Sequence, residues 1–266
     1  MSDGQLDLFD GSGVALARQP VPPQAQRPLT PTPSDLGDAA LLAALPASGL
    51  PDGPALAREA GRRRIQAAVP VLEDYCRRFA GFGVAHPLPE QCAALDALAA
   101  VGGPDAAASV ARIISRGWVQ GPTVTNAVAA AARLRARLPA DIVLPLLRHA
   151  EPAIRADTCR LARGGPDIVA TLVDLLGDLH PNVALEAACA LARLGRPESR
   201  PPLKRLLAEA PSTRVIEAVP SIADDECIVL LGRIARSASP ELAAAARDAL
   251  DATEHPLAAR LLDRLS

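Results

Sequence analysis

The stretch HPNVALEAACALARLGRPESRPPLKRLLAEA, residues 180–210, decides the fold. After Val183, apolar residues follow at offsets of 4, 7, 8 and 11 positions, which is the pattern of one face of an α-helix. A second run, which includes Leu206 and Leu207, follows after Gly195 and several prolines. The stretch therefore predicts two helices joined by a turn, each with one apolar face to bury.

The same pattern returns five times between Gly121 and Ser266. A proline opens each copy, and successive prolines are 30, 29, 30 and 29 residues apart: Pro122, Pro152, Pro181, Pro211 and Pro240. A helix tolerates proline in its first turn, so these prolines are expected to mark helix starts. A fixed period of this length predicts a solenoid, because one helix pair cannot bury its apolar face alone.

These units resemble HEAT-like repeats of the short type also found in phycobilisome lyase proteins. The resemblance covers residues 86–266 well, as about six repeats, and 38–85 loosely. It implies an all-α fold, a curved right-handed α-solenoid whose first and second helices line opposite surfaces. Such a solenoid offers a concave face to a partner, although the fold alone does not fix an activity.

Residues 36–85 are predicted to form a divergent N-terminal capping unit. The run AALLAAL, which begins near Asp38, predicts a short helix that ends before Gly49. The next segment is predicted to be one long helix from Pro54 to about Phe79, kinked at Pro70. Its apolar stripe falls at offsets of 0, 4, 7, 11 and 14: Ile65, Val69, Leu72, Cys76 and Phe79.

Composition limits the classes of function. A net charge of −2 and a pI near 6.1 provide no overall attraction for nucleic acid. The five cysteines form no CxxC pair, so we expect reduced core residues and neither disulfides nor zinc. No apolar run approaches the length of a membrane span and no signal peptide is recognised, so a cytoplasmic location is expected.

We expect no metal, no cofactor and no enzyme activity. An iron-dependent hydroxylase of the HEAT-like class binds metal through His-Glu pairs, whereas each histidine here is followed by proline or alanine: His86, His149, His180 and His255. Most of them lie near predicted unit boundaries, which favours helix-start residues over metal ligands. The sequence also has no glycine-rich phosphate loop and no Ser/His/Asp series.

A DNA-lesion binder or DNA glycosylase is the alternative hypothesis. Alkylpurine DNA glycosylases combine HEAT-like repeats with a basic concave face and with aromatic residues that hold a damaged base. Trp118 and Tyr75 are candidates, but the net charge is unfavourable and Trp118 is predicted to lie in a turn. Arg62, Arg63 and Arg64 could contact phosphate weakly, or they could pair with acidic neighbours on their own helix.

Residues 1–35 have the composition of a disordered, proline-rich tail. Within it, Gln5-Leu6-Asp7-Leu8-Phe9 resembles the pentapeptide by which bacterial polymerases and repair proteins dock on the DNA polymerase sliding clamp. The resemblance implies that Gln5 is a polar anchor, Leu6 a flanking contact, and Leu8 with Phe9 a hydrophobic plug. A linker of roughly 25 residues behind the motif would span about 25 to 30 Å as a flexible coil.

The sequence therefore predicts a non-enzymatic HEAT-repeat adaptor or scaffold. It is expected to bind a protein partner on its solenoid and to be tethered to the sliding clamp by its tail. In another interpretation of the motif, the apolar tail packs on its own solenoid or binds another peptide-binding protein.

Overall fold

The computed structural model describes residues 32–49, 51–237 and 239–265. The tail motif with Gln5, Leu6, Leu8 and Phe9 lies outside the described residues. Within them the chain is all α-helical, with short 3-10 turns and without a β-strand. None of the helices in these ranges is long and apolar enough to cross a membrane.

Helix α1 (Asp38–Ala47) precedes a series of helix pairs. The first helices of the pairs are α2 (Gly53–Arg62), α4 (Pro89–Val101), α6 (Thr123–Leu134), α8 (Pro152–Leu161), α10 (Pro181–Arg193), α12 (Thr213–Ala218) and α14 (Pro240–Asp251). The second helices are α3 (Val69–Arg78), α5 (Gly103–Ser115), α7 (Ala140–Leu147), α9 (Pro166–Leu175), α11 (Arg200–Glu209), α13 (Asp225–Ser237) and α15 (Pro256–Asp263).

The predicted solenoid of helix pairs is confirmed. Pro152, Pro181 and Pro240 are the first residues of α8, α10 and α14, and Pro122 and Pro211 lie just before α6 and α12. Proline lacks the N–H that the first turn of a helix leaves without an intrahelical partner, so it starts these helices without the loss of a hydrogen bond.

The first helices stack closely because small residues face their neighbours. Each first helix from α2 to α14 contacts the next, and α4, α6 and α10 bury most of their alanines almost completely. The second helices α5 and α7 make few backbone contacts with each other, as do α9 and α11. Since the spacing is tighter on the first-helix side, we expect the stack to curve toward that side.

Helix α10 joins the two halves of the hydrophobic core. One cluster of buried residues extends from Leu41 to Leu191, and a second extends from Ala188 to Ala258. Both clusters include residues of α10, whose side chains from Glu186 to Ala192 are all buried. A helix buried on more than one face connects the packing of the repeats before it to that of the repeats after it.

The prediction of one long helix from Pro54 to about Phe79 is wrong. Helix α2 ends at Arg62, a 3-10 turn follows, and Pro70 lies in the first turn of α3 instead of at a kink. The chain reverses at Arg64, whose φ of 54° is left-handed. The Ile65 N–H bonds the Ala60 carbonyl and the Arg64 N–H bonds that of Gly61, which is the Schellman arrangement of a helix end.

The close crossing of α2 and α4 depends on Gly61. A Cβ atom built on Gly61 would lie 2.6 Å from the Ala97 Cα, which is backbone and cannot rotate away. Gly61→Ala should therefore lower the free energy of unfolding by about 1–3 kcal/mol, despite a helix-propensity gain of about 1 kcal/mol. Urea unfolding followed by circular dichroism measures this change.

Gly177→Ala is the matched control for this substitution. A Cβ on Gly177 would lie 3.6 Å from the Asp174 carbonyl oxygen, an ordinary contact, so stability should change by less than about 0.5 kcal/mol. If both variants unfold at the urea concentration of the parent, the crossing at Gly61 is not constrained by backbone contact.

Candidate functional site

The predicted arginine cluster on the capping unit is mostly engaged within the chain. Arg62 Nε lies 2.8 Å from Glu59 Oε2 and Arg63 Nε lies 2.6 Å from Glu59 Oε1. These hydrogen bonds lower the pKa of Glu59 to about 2. Arg63 Nη1 also donates to the Leu36 carbonyl and to Asp38, which ties α1 to the end of α2. Arg64 is exposed and makes no ion pair with a described residue.

A larger group of arginines lies along the turns that join the two helices of each pair, here called the intra-pair edge. The turn after α6 carries Arg135 and Arg137, the turn after α8 carries Arg163, and the turn after α10 carries Arg196. Further arginines occupy the last turns of the first helices themselves: Arg133, Arg160 and Arg193. A cation at a helix C-terminus interacts favourably with the helix dipole.

Four arginines of this edge, together with Arg214 at the start of α12, line one cavity, which we call the arginine cleft. Its volume is about 500 Å³, and Ala132 and Ala162 form the apolar part of its wall. The arginines come from the ends of α6, α8 and α10 and from the start of α12: Arg135, Arg160, Arg163, Arg193 and Arg214. Four consecutive repeats therefore contribute to one site.

Glu186, a residue of α10 that is only 1% exposed, lies beside the cleft. Arg160 Nη2 donates to Glu186 Oε1 over 2.7 Å, and Arg214 Nη2 donates to Glu186 Oε2 over 2.6 Å. Burial acts to raise the pKa of Glu186, but the hydrogen bonds and charges of the two arginines outweigh it and hold the pKa below its ordinary value. Glu186 is therefore ionised and links α8, α10 and α12.

The other arginines of the cleft make no ion pair with a carboxylate of the described residues. Arg193 Nη2 donates to the Cys159 carbonyl over 3.0 Å, and Arg163 Nη2 donates to the Arg135 carbonyl over 2.8 Å. Burial, together with the like charge of Arg214, lowers the pKa of Arg193. The cleft thus holds more positive than negative charge.

The loops between pairs form a different edge, here called the inter-pair edge. Phe82 and Val84, in the loop between α3 and α4, are 62% and 67% exposed. This loop packs against the next one. The Gly121 Cα lies so close to the Val84 carbonyl oxygen that a Cβ atom on residue 121 would overlap that oxygen. Trp118 lies in that next loop, as predicted, and is half-buried, with its carbonyl bonded to Gln91 Nε2 over 2.8 Å.

The cysteines and histidines show no catalytic arrangement in the described residues. Burial raises the pKa of Cys76 and Cys159 to about 12, so both thiols are protonated at neutral pH, and no described cysteine is in a disulfide. The helix-start interpretation is confirmed for His180 and His255, which immediately precede α10 and α15. No group of three or more metal-ligating side chains occurs in the part of the chain that the structure describes.

Comparisons with known proteins agree with this architecture. A family model of HEAT repeats matches residues 140–222. The chain is similar to one chain in the structure of the complex of CpcE and CpcF of phycocyanin lyase from Nostoc sp. PCC7120. The sequence identity is 18% and the TM-score 0.59, and the match covers 99% of this chain and 100% of that one. The chain is thus an α-solenoid of HEAT-like helix pairs.

Two further solved structures match less well in shape. Human deoxyhypusine hydroxylase in complex with glycerol has 18% identity and a TM-score of 0.38, with 84% of this chain and 88% of that one covered. An engineered protein has 18% identity and a TM-score of 0.37, and the match covers 83% of this chain and 100% of that one. No curated protein matches the chain by sequence.

Sequence reasoning did not find the arginine cleft. Its members are spread over residues 135–214 and form no contiguous basic run. The recurrence of arginine near the ends of successive first helices was the one available indication, and it requires the helix bounds to be known. Tyr75, the other aromatic candidate, is 2% exposed and packs edge-on against Phe79, so it is a core residue.

Glu186→Gln should destabilise the protein because two guanidinium groups lose their shared carboxylate. Breaking a fully buried ion pair typically costs about 3–5 kcal/mol. The two arginine side chains are 41% and 36% exposed, so a loss of about 1–3 kcal/mol in the free energy of unfolding is expected near neutral pH.

The effect of this substitution should depend on pH with a defined sign. The pKa of Glu186 is lower in the folded state than its ordinary value of 4.5. The contribution of its ion pairs to the free energy of unfolding is therefore complete above pH 4.5 and is lost as pH falls through the folded-state pKa. The stability difference between parent and variant, measured by urea unfolding, should therefore shrink on acidification. The control is Glu217→Gln, on an exposed residue of α12; equal losses in both variants would contradict a special role for Glu186.

Proposed function

We propose that the chain is a non-enzymatic HEAT-repeat adaptor, tethered to the DNA polymerase sliding clamp through Gln5, Leu6, Leu8 and Phe9. The observation that carries the adaptor assignment is the solenoid itself, in which stacked helix pairs present long edges of different chemistry. The phycocyanin lyase to which the chain is similar is a complex of two proteins, and a comparable use of the fold is proposed here.

Exposed apolar side chains support binding of a protein partner. Phe82 and Val84 extend from a loop that is held against its neighbour at Gly121. An exposed aromatic residue on a fixed loop is a common centre of a protein interface, because it offers a large apolar area with little entropy to lose. We therefore propose the inter-pair edge around Phe82 as the surface for the solenoid's protein partner.

The clamp assignment rests on the chemistry of the pentapeptide. Leu8 and Phe9 are adjacent apolar side chains that can enter one hydrophobic pocket, while Gln5 can make oriented hydrogen bonds in a second subsite. The match to the clamp-binding pattern is complete at all five positions. A tether of this kind would keep the adaptor near the replication machinery and leave both edges of the solenoid free.

A DNA-lesion binder or glycosylase is the second candidate, and the arginine cleft is the observation that favours it. Two features weigh against it. Asp96 and Asp157 interrupt the positive charge along the first helices, so the surface is mixed and not a continuous basic trough. Trp118 and the cleft lie at opposite ends of α6, about 18 Å apart for a helix of this length.

A peptide of residues 1–15 should bind purified sliding clamp with a Kd on the order of micromolar. Replacing both Leu8 and Phe9 with alanine should weaken binding at least about 100-fold, because two buried hydrophobic anchors are removed. Isothermal titration calorimetry with the peptide and with the full chain measures both effects.

Asp7→Ala is the matched control for the clamp experiment. The motif tolerates variation at this position, so the substitution should leave the affinity within about twofold of the parent. Unchanged binding after the double replacement would disprove the roles assigned to Leu8 and Phe9, and absence of binding by the parent peptide would disprove the clamp assignment as a whole.

A further inference from the structure

We propose that the arginine cleft is a binding site for the phosphate monoester group of a small molecule. Nothing in the adaptor function requires such a site, and four of its five arginines lie on the edge opposite to Phe82. The inference rests on the charge of the cleft and on the size of the cavity.

The charge of the cleft is unbalanced. Five guanidinium groups line it, whereas the ion-pairing carboxylates beside it are those of Glu186 and Asp157. Arg135, Arg163 and Arg193 make no ion pair with a carboxylate in the described ranges. Like charges gathered in a partly buried cavity repel each other, so the cleft gains free energy from an anion that enters it.

Arg135, which lines the cleft, has a left-handed backbone conformation at the end of α6. Its φ is 51°, and the N–H groups of Arg135 and Ala136 bond the Ala132 and Ala131 carbonyls in a Schellman arrangement. The equivalent position after α10 is Gly195, the residue type that adopts a left-handed φ without strain. Arg64 has the same left-handed conformation outside the cleft, so the turn serves here to place Arg135 at the end of α6, where its side chain lines the cleft.

A phosphate monoester fits these features better than a carboxylate does. It carries a charge of about −1.5 to −2 at neutral pH and has three strong acceptor oxygens. Guanidinium groups bind such oxygens in pairs, with a planar fork that matches their spacing. The volume of about 500 Å³ exceeds that of a phosphate group and lies within the range of small-molecule sites, so the cleft also has room for the group that carries the phosphate.

A nucleic-acid backbone fits less well. Each of its phosphates is a diester with one negative charge, and affinity depends on several of them in a row. Asp157 pairs with Arg160 at the cleft, and Asp96 pairs with Arg133 next to it, so a strand that left the cleft along the first helices would meet carboxylates.

The test is calorimetric titration of the full chain with inorganic phosphate, adenosine 5′-monophosphate and adenosine. The two phosphate probes should bind and adenosine should not. Equal affinity for inorganic phosphate and adenosine 5′-monophosphate would indicate a site for phosphate itself. Tighter binding of the nucleotide would indicate contacts beyond the phosphate group. Both of these results support the proposal, and failure of both phosphate probes to bind overturns it.

Arg135→Gly provides a variant that should fold at least as well as the parent. It removes one guanidinium group and also relieves the left-handed backbone, so stability against urea should stay equal or rise. The affinity for the phosphate probe should fall about tenfold, since one charge-assisted hydrogen-bonding group is lost. The double variant Arg163→Gln/Arg193→Gln should reduce it further.

Arg64→Gly is the matched control because it makes the same change at the equivalent turn after α2. Arg64 also has a left-handed φ, of 54°, and also follows a first helix, but it lies outside the cleft. Its substitution should change stability in the same direction and leave phosphate affinity unchanged. Equal affinity in Arg135→Gly and the parent, or stronger binding of a twelve-nucleotide single strand without terminal phosphate than of the phosphate probes, would overturn the proposal.

Discussion

The middle of the solenoid depends on the ion pairs that the Glu186 carboxylate makes with two arginines. This carboxylate is a buried charge on α10, the helix at which the two halves of the hydrophobic core meet. A buried carboxylate is tolerated only when it is paired, and here the partners come from the helices on either side, Arg160 on α8 and Arg214 on α12. Since alanine packing alone is non-directional, these ion pairs add directional contacts between three consecutive repeats.

The same arrangement produces the arginine cleft. Cations are favoured at helix C-termini, and the first helices end side by side on one edge because their alanines let them pack closely. Glu186 pairs with Arg160 of that edge and with Arg214 from the start of α12, while Arg163 and Arg193 bond backbone carbonyls. Arginines near the C-termini of the first helices stabilise their own repeats. When several repeats are stacked, these arginines lie close together and form one positively charged site.

Much of the fold could be predicted from the sequence, because the prolines and the apolar period are local features that recur. The single long helix within the capping unit was predicted wrongly for an equally local reason: the turn after α2 has arginine at the left-handed position where glycine usually indicates a helix end. The arginine cleft could not be predicted, since it depends on which helix ends become neighbours. The engagement of Arg62 and Arg63 by Glu59, in contrast, follows from their spacing on one helix.

The separation of the two edges bears on the choice between an adaptor and a base-extruding enzyme. An enzyme that extrudes a base needs stacking side chains and phosphate contacts around one nucleotide. Here the exposed aromatic residue Phe82 and the half-buried Trp118 lie on the inter-pair edge. The cleft arginines at the ends of α6, α8 and α10 lie about one helix length away on the intra-pair edge. A single nucleotide cannot reach both. A protein bound at the inter-pair edge would leave the proposed anion site accessible, so the separation of the two edges is compatible with the proposed adaptor function.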